Sequence, residues 1–197
     1  MVKDLLLATN NLKKLKEIRQ LLGDAYPGKI LCASDFAHLP DPDETGTTFE
    51  ENARLKANYY AMHTGLIALA DDSGLVVDAL DGRPGVYSAR YAPTDGERIA
   101  RLLGELANVP EGARAARFVC AMCLAGPEAI VAEVQGMLEG RIGHVPHGEY
   151  GFGYDPIFLV QDSDRTLAEL NAEEKNSISH RGVAMKKIRA QLLDALK

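Results

Sequence analysis

Apolar residues along this chain keep two rhythms. Short, mostly apolar runs, Val2–Ala8, Lys29–Ala33 and Gly65–Ala70, end in polar or turn-forming residues and read as buried strands. Elsewhere apolar positions recur three and four apart: Leu12, Leu15, Ile18 and Leu22; Ile99, Leu102, Leu103 and Leu106 within Thr94–Ala107; and Met185, Ile188, Leu192 and Leu196 near the end. That spacing turns one face of a helix toward a core. A further helix is predicted beyond Thr48, running through Tyr59 to about His63, where Thr48 and Glu51 have the spacing of a capping box. Ser34–Gly46 and Asp81–Tyr91 read as loops, and Leu75–Leu80 as further extended or short structure. Arg114–Ala125 and Ala129–Leu138 form a predicted antiparallel pair joined at Gly126–Pro127, with Gly140–His144 as a candidate additional strand. The prediction is therefore an α/β fold with a mixed sheet rather than a pure array of βαβ units.

Composition narrows the function classes. The 197 residues suffice for one large domain or two merged lobes. A net charge of −6 argues against a general nucleic-acid binder, whose footprint is a basic face. The apolar runs are too short to span a bilayer, and no basic, apolar leader precedes the first strand, so a cytoplasmic protein is expected. Cys120 and Cys123 spell C-x-x-C, but residues three apart on a strand face opposite ways and could not share a metal. All three cysteines are expected to be small buried apolar residues.

Five stretches carry candidate chemistry, several with a plainer alternative. In Ala70-Asp71-Asp72-Ser73-Gly74 two carboxylates follow an apolar run, as expected at the end of a central strand. Their side chains should point to different faces, and acids so placed suit a hard oxygen-ligated cation such as Mg²⁺; the alternative is a simple strand-ending turn. Thr9-Asn10-Asn11 runs into a helix beginning near Leu12 with Lys13 and Lys14, either a phosphate-binding helix start or an ordinary cap. Glu50 and Glu51 have structural work in a first helical turn, whereas Glu44 lies ahead of it, in a Glu-Thr-Gly turn. Gly151-Phe152-Gly153-Tyr154 combines a permissive backbone with aromatic rings, which suits stacking against a planar base or a tight strand entry. Finally, Ser179 is a candidate N-cap that would place His180 and Arg181 in a first turn, unfavourable for cations unless an anion or polar ligand edge lies there; Lys175 points the same way.

Seven stretches in order carry a resemblance: Thr9-x-Asn11-x-x-Lys14, Glu44-Thr-Gly, Phe49-x-Glu51-Asn52-Ala53, Ala70-Asp71-Asp72-Ser73-Gly74-Leu75, Pro84-Gly-x-Tyr-Ser-Ala-Arg-Tyr91, Gly151-Phe-Gly-Tyr-Asp-Pro156 and Lys175-x-x-x-Ser179-His-Arg-Gly182. Together they resemble the inosine/xanthosine triphosphate pyrophosphatase family, which removes deaminated purine nucleotides. Many relatives carry glycine at the positions of Asn10 and Lys13, a departure that touches loop geometry. The resemblance implies a long central mixed sheet flanked by helices, two lobes with a cleft between them, and a homodimer. It implies Mg²⁺-dependent hydrolysis of ITP, dITP and XTP to the monophosphate and pyrophosphate. Carried over by position, Asp72 is the catalytic acid/base and a metal ligand, and Glu44 a further metal-site acid. Thr9, Asn10, Asn11, Leu12, Lys13, Lys14, Ser73 and Lys175 would hold the nucleotide, and Phe152, Gly153, Tyr154, Asp155, His180 and Arg181 would attend to sugar and base. For base choice, a fixed donor such as Arg181 or a backbone N–H would pair with a 6-oxo group and oppose an amino group. Two rival readings are a related pyrophosphatase of modified pyrimidine nucleotides and a catalytically silent nucleotide sensor.

Overall fold

The computed structural model describes residues 3–23, 26 and 28–197. Its strands are β1 (Leu5–Leu7), β2 (Ile30–Cys32), β3 (Ile67–Val77), β4 (Ala115–Ala125), β5 (Ile130–Ile142) and β6 (Phe158–Val160). The helices are α1 (Leu12–Leu22), α2 (Phe49–Thr64), α3 (Asp95–Glu105), α4 (Ala172–Ile178) and α5 (His180–Ala195). The sheet order is β2-β1-β3-β4-β5-β6. β1 pairs in parallel with both β2 and β3, and β6 runs antiparallel to β5, so the sheet is mixed and open. β4 and β5 are neighbours joined by residues 126–129, a connection short enough only for an antiparallel hairpin.

Several expected boundaries move. β1 is confined to Leu5–Leu7, and the expected start at Val2 lies outside the described residues. The candidate strand at Gly140–His144 is not separate: Gly140–Ile142 is the far end of β5, and Gly143 and His144 lie beyond it. Lys175 lies in α4, a short helix that the sequence pattern did not mark. Leu12 opens α1 but is exposed, leaving Leu15, Ile18 and Leu22 as its buried face. Cys120 and Cys123 are buried as expected, whereas Cys32, on the short strand β2, is only half-buried. The largest change concerns the acidic pair. β3 continues through Asp71-Asp72-Ser73-Gly74 to Val77, so the carboxylates lie in the middle of an eleven-residue strand and not at its end. Polar residues persist there because their partners come from the helices over each face.

The chain divides into two compact units, and β3, β4 and β5 each contribute residues to both. The first comprises residues 1–72, 120–136 and 181–197. Leu5 and Leu7 of β1, Leu69 of β3 and Cys120, Met122 and Leu124 of β4 form one sheet face of its core. Leu15, Ile18 and Leu22 of α1 and Met185, Ile188 and Leu192 of α5 complete it. Each buried leucine or isoleucine contributes roughly 1.5–3 kcal/mol. Asp71 has the same parity as Leu69 and therefore faces α1 and α5, while Asp72 shares the opposite face with Ala68 and Ala70.

The second unit comprises residues 73–119 and 137–180. Leu75 and Val77, Ile99 and Leu102 of α3, Phe118, Ile142 and Phe158 form its core. Arg114 is buried beside it and donates to four backbone carbonyls, those of Leu106, Val109, Ile142 and Gly143. Those bonds satisfy a guanidinium that would otherwise be costly to bury.

Candidate functional site

In the first unit the polar residues gather on both faces of β3. On the α1/α5 face, Asp71 Oδ2 accepts from Arg181 Nη2 at 3.0 Å and lies 3.1 Å from Lys14 Nζ. The other side of the Arg181 guanidinium meets Glu17 of α1. Asp71 and Arg181 are each only 1% exposed. Burial would raise the Asp71 carboxyl, but Lys14, Arg181 and Lys56 outweigh it and hold the group far below the usual carboxylate range.

Across the strand, Asp72 Oδ2 accepts from Asn52 Nδ2 at 3.0 Å, and its Oδ1 lies 3.7 Å from Lys56 Nζ. Lys56 donates to Glu44 at 2.7 Å, so one ammonium touches both acids that the motifs singled out. Asn52 Oδ1 accepts the Gly46 N–H at 2.8 Å, which fastens the Glu44-Thr45-Gly46 turn to the acid on β3. A Cβ at Gly46 would fall 2.6 Å from that oxygen, so the close approach needs glycine. Here burial prevails: the Asp72 carboxyl is raised, with Lys56, Lys14 and Asn52 only partly offsetting the loss of water and Glu44 adding to it. The Lys56 ammonium is raised despite burial, because Asp72, Asp71 and Glu44 surround it.

The turn before α1 is tightly capped. Asn11 Oδ1 accepts the N–H groups of Lys13 and Lys14 at 3.0 and 3.2 Å, Thr9 Oγ1 accepts the Asn11 N–H, and Asn10 donates to Asp41. The ordinary cap expected as the alternative is thus present. Of this stretch, Lys14 is the residue that reaches an acid of β3, while Asn10, Asn11, Leu12 and Lys13 stay exposed.

In the second unit, Lys175 and Asp155 form a buried ion pair at 2.7 Å. The same Asp155 oxygen accepts the Phe152 N–H at 2.8 Å, and Lys175 Nζ stands 4.9 Å from the centre of the Phe152 ring. Gly151 has φ +75°, and a Cβ there would collide with the Asp155 carboxylate. The Tyr154 hydroxyl donates to the Ser88 carbonyl at 3.0 Å, and Gly153 N–H donates to Asp95 at 3.0 Å. His180 is buried and stacks on Phe118 with ring centres 4.9 Å apart. Ser73 is half-buried on β3, immediately after Asp72.

The structure therefore brings Lys14, Glu44, Asp72 and Arg181 into the first unit's ionic cluster, and Phe152, Gly153 and Asp155 together in the second unit's loop with Lys175 of α4 paired to Asp155. Asn52, Lys56, Glu17 and Asp95 were assigned no role from sequence. Asn52 and Lys56 stand four apart on α2, a spacing that puts both on one helical face. That signal was readable once β3 was known to pass beneath them.

The donor set fits Mg²⁺. Glu44 and Asp72 offer hard oxygens, and the structure already shows a positive charge, that of Lys56, touching both. Among the described residues no group of three or more His, Cys, Asp or Glu is arranged to hold a metal. A two-carboxylate site suits Mg²⁺, which usually completes its shell with substrate phosphates and water.

The family model described as the Ham1 family matches residues 5–191. A dITP/XTP pyrophosphatase of Gloeobacter violaceus is 54% identical over 95% of this chain and 93% of its own length. The dITP/XTP pyrophosphatase of Bacillus subtilis is 46% identical over 98% of each. Among solved structures, a HAM1 protein of Coxiella burnetii superposes with a TM-score of 0.88 at 44% identity, over 98% of this chain and all of its own. The chain belongs to the Ham1 family and is, like the two pyrophosphatases, a hydrolase.

Proposed function

We propose that the protein is a Mg²⁺-dependent pyrophosphohydrolase that cleaves dITP, XTP and ITP between the α and β phosphates, releasing the monophosphate and pyrophosphate. The observation that carries this reading is the pair of acids, Glu44 and Asp72, gathered about one ammonium on the Asp72 face of β3. Whole-length similarity to dITP/XTP pyrophosphatases supports the substrate class.

Glu44 and Asp72 would hold the cation, which when bound neutralises phosphate charge and lowers the pKa of a bound water. Asp72, oriented by Asn52, would accept the proton of the attacking water or hold that water in line. Its raised carboxyl makes it the better base of the two neighbouring acids. Lys14 and Lys56, with the Thr9–Lys14 turn, would bind the triphosphate and stabilise developing charge, and Ser73 and Lys175 are further nucleotide-binding residues that the resemblance implies.

Phe152–Asp155 and His180 would attend to sugar and base. For the 6-oxo group the sequence offered Arg181 or a backbone N–H as donor. The structure favours the backbone, because the Arg181 guanidinium is buried against Asp71 and Glu17. A hydrogen-bonding site rejects the amino group of adenine, since the wrong base leaves buried groups without complements. No helix among the described residues is long and apolar enough to cross a membrane. The proposed setting is cytoplasmic, with the protein acting as a homodimer.

The test is pyrophosphate release from dITP, XTP, ITP, GTP and ATP, each with Mg²⁺ and with chelator. Release from the first three alone, abolished by chelator, is expected. Folded protein that releases nothing would return the argument to the pyrimidine-directed relative or the sensor.

A further inference from the structure

We infer that Asp95 is a positioning residue for the Gly151–Asp155 loop, fixing the Phe152–Gly153 peptide and with it the Phe152 ring. Asp95 opens α3, 58 residues before Gly153, and its Oδ2 accepts the Gly153 N–H at 3.0 Å. An acid in a first helical turn has a ready structural role toward the helix dipole. That role asks nothing of the side chain's direction, whereas here the direction is set. Arg98 Nη1 holds Asp95 Oδ1 at 2.7 Å, and Arg98 Nε is itself tied to the Ala92 carbonyl at 2.8 Å. Thr94 and Glu97 close a capping box around the same turn, so the anchor is rigid.

The loop needs such an anchor. Gly151 and Gly153 both have positive φ, at 75° and 62°, and glycines leave many alternative conformations open. Asp155 pins the Phe152 N–H and Lys175 from within the loop. Asp95 pins the following N–H from outside it, so the peptides on either side of Phe152 are both held. The aromatic ring between those two bonds is the group that the proposed function places against the nucleotide base, and this consequence of the inference rests on that reading. Loss of Asp95 would leave Asp72, Glu44 and Lys56 in place and change how the base is presented.

The experiment compares the wild type with Asp95→Ala and Asp95→Asn by hydrogen exchange and by steady-state kinetics. In Asp95→Ala, exchange across residues 151–155 should accelerate while the melting temperature shifts by only a few degrees. KM for dITP and XTP should rise about tenfold, the size of one lost hydrogen bond, with kcat little changed and the preference over dATP narrowed. Asp95→Asn keeps an acceptor oxygen and should recover most of the KM. Unaltered exchange in the loop of Asp95→Ala overturns the inference, as does a loosened loop with unchanged KM and base preference. If the wild type itself cleaves neither nucleotide, the functional reading fails, and the exchange measurement still decides whether Asp95 positions the loop.

Discussion

Asp71 and Asp72 share a peptide bond, a strand and nearly the same burial, yet the two faces of β3 treat them in opposite ways. On one face Lys14 and Arg181 surround Asp71 and hold its carboxyl low; on the other, Asp72 meets one amide and a more distant ammonium, and its carboxyl rises. Alternation along the strand is what separates them. An acid held by two adjacent cations keeps its charge and is a poor proton acceptor. An acid whose charge is only partly compensated retains an affinity for protons and cations. On the proposed reading Asp71 serves the structure and Asp72 the chemistry, and that division can be broken in several ways.

The largest effect is expected from Asp72→Asn. Turnover of dITP should fall by about 10²–10⁴-fold, the range of a general base, and the fold should persist. Because the folded pKa of Asp72 is raised, its contribution to stability is present below the ordinary aspartate pKa and is lost as pH rises through the folded value. In chelator near neutral pH, Asp72→Asn should therefore melt at or above the wild type.

Asp71→Ala is predicted to act through stability. It deprives Lys14 and Arg181 of the acid they share, at a cost of about 3–5 kcal/mol for a broken buried ion pair. Denaturant unfolding measures this directly, and a loss below about 1 kcal/mol would contradict the structural assignment. The pH dependence has the opposite sign to that of Asp72. With the folded pKa of Asp71 lowered, its stabilisation is present above the unfolded value of about 4 and is lost as pH falls. The gap between wild type and Asp71→Ala should therefore be widest near neutrality and close in acid, as followed by thermal melts across pH.

Asn52→Ala should have a smaller effect, about 1–3 kcal/mol, because Asp72 and the Gly46 N–H both lose a buried partner. It should also lower turnover, since the orientation of Asp72 is relaxed. The smallest change is expected from Glu133→Ala. It removes a partly exposed pair with Arg54 on the same unit and should cost no more than about 1 kcal/mol, with activity intact.

Much of this site was readable before the fold was seen. The acids of β3 announced themselves as adjacent carboxylates after an apolar run, and alternation alone placed them on separate faces. The Thr48–Glu51 capping box was visible from spacing and is present. What escaped was the continuation of β3. Asp-Asp-Ser-Gly has the composition of a turn, and local propensity yields here to partners brought by α1, α2 and α5 from far along the chain. For the same reason Asn52, Lys56 and Asp95 went unassigned: on their own helices they are ordinary polar positions, and only tertiary pairing gives them a task. Arg181 shows the converse. Its place at the start of α5 suggested a ligand, and the structure shows two carboxylates already facing it.

The most direct test of this division is the kcat for pyrophosphate release from dITP with saturating Mg²⁺, measured for Asp72→Asn at a temperature where the variant is folded. A loss of two or more orders of magnitude is the predicted result. Turnover close to that of the wild type would remove Asp72 from the chemistry and contradict the assignment of separate roles to the two faces of β3.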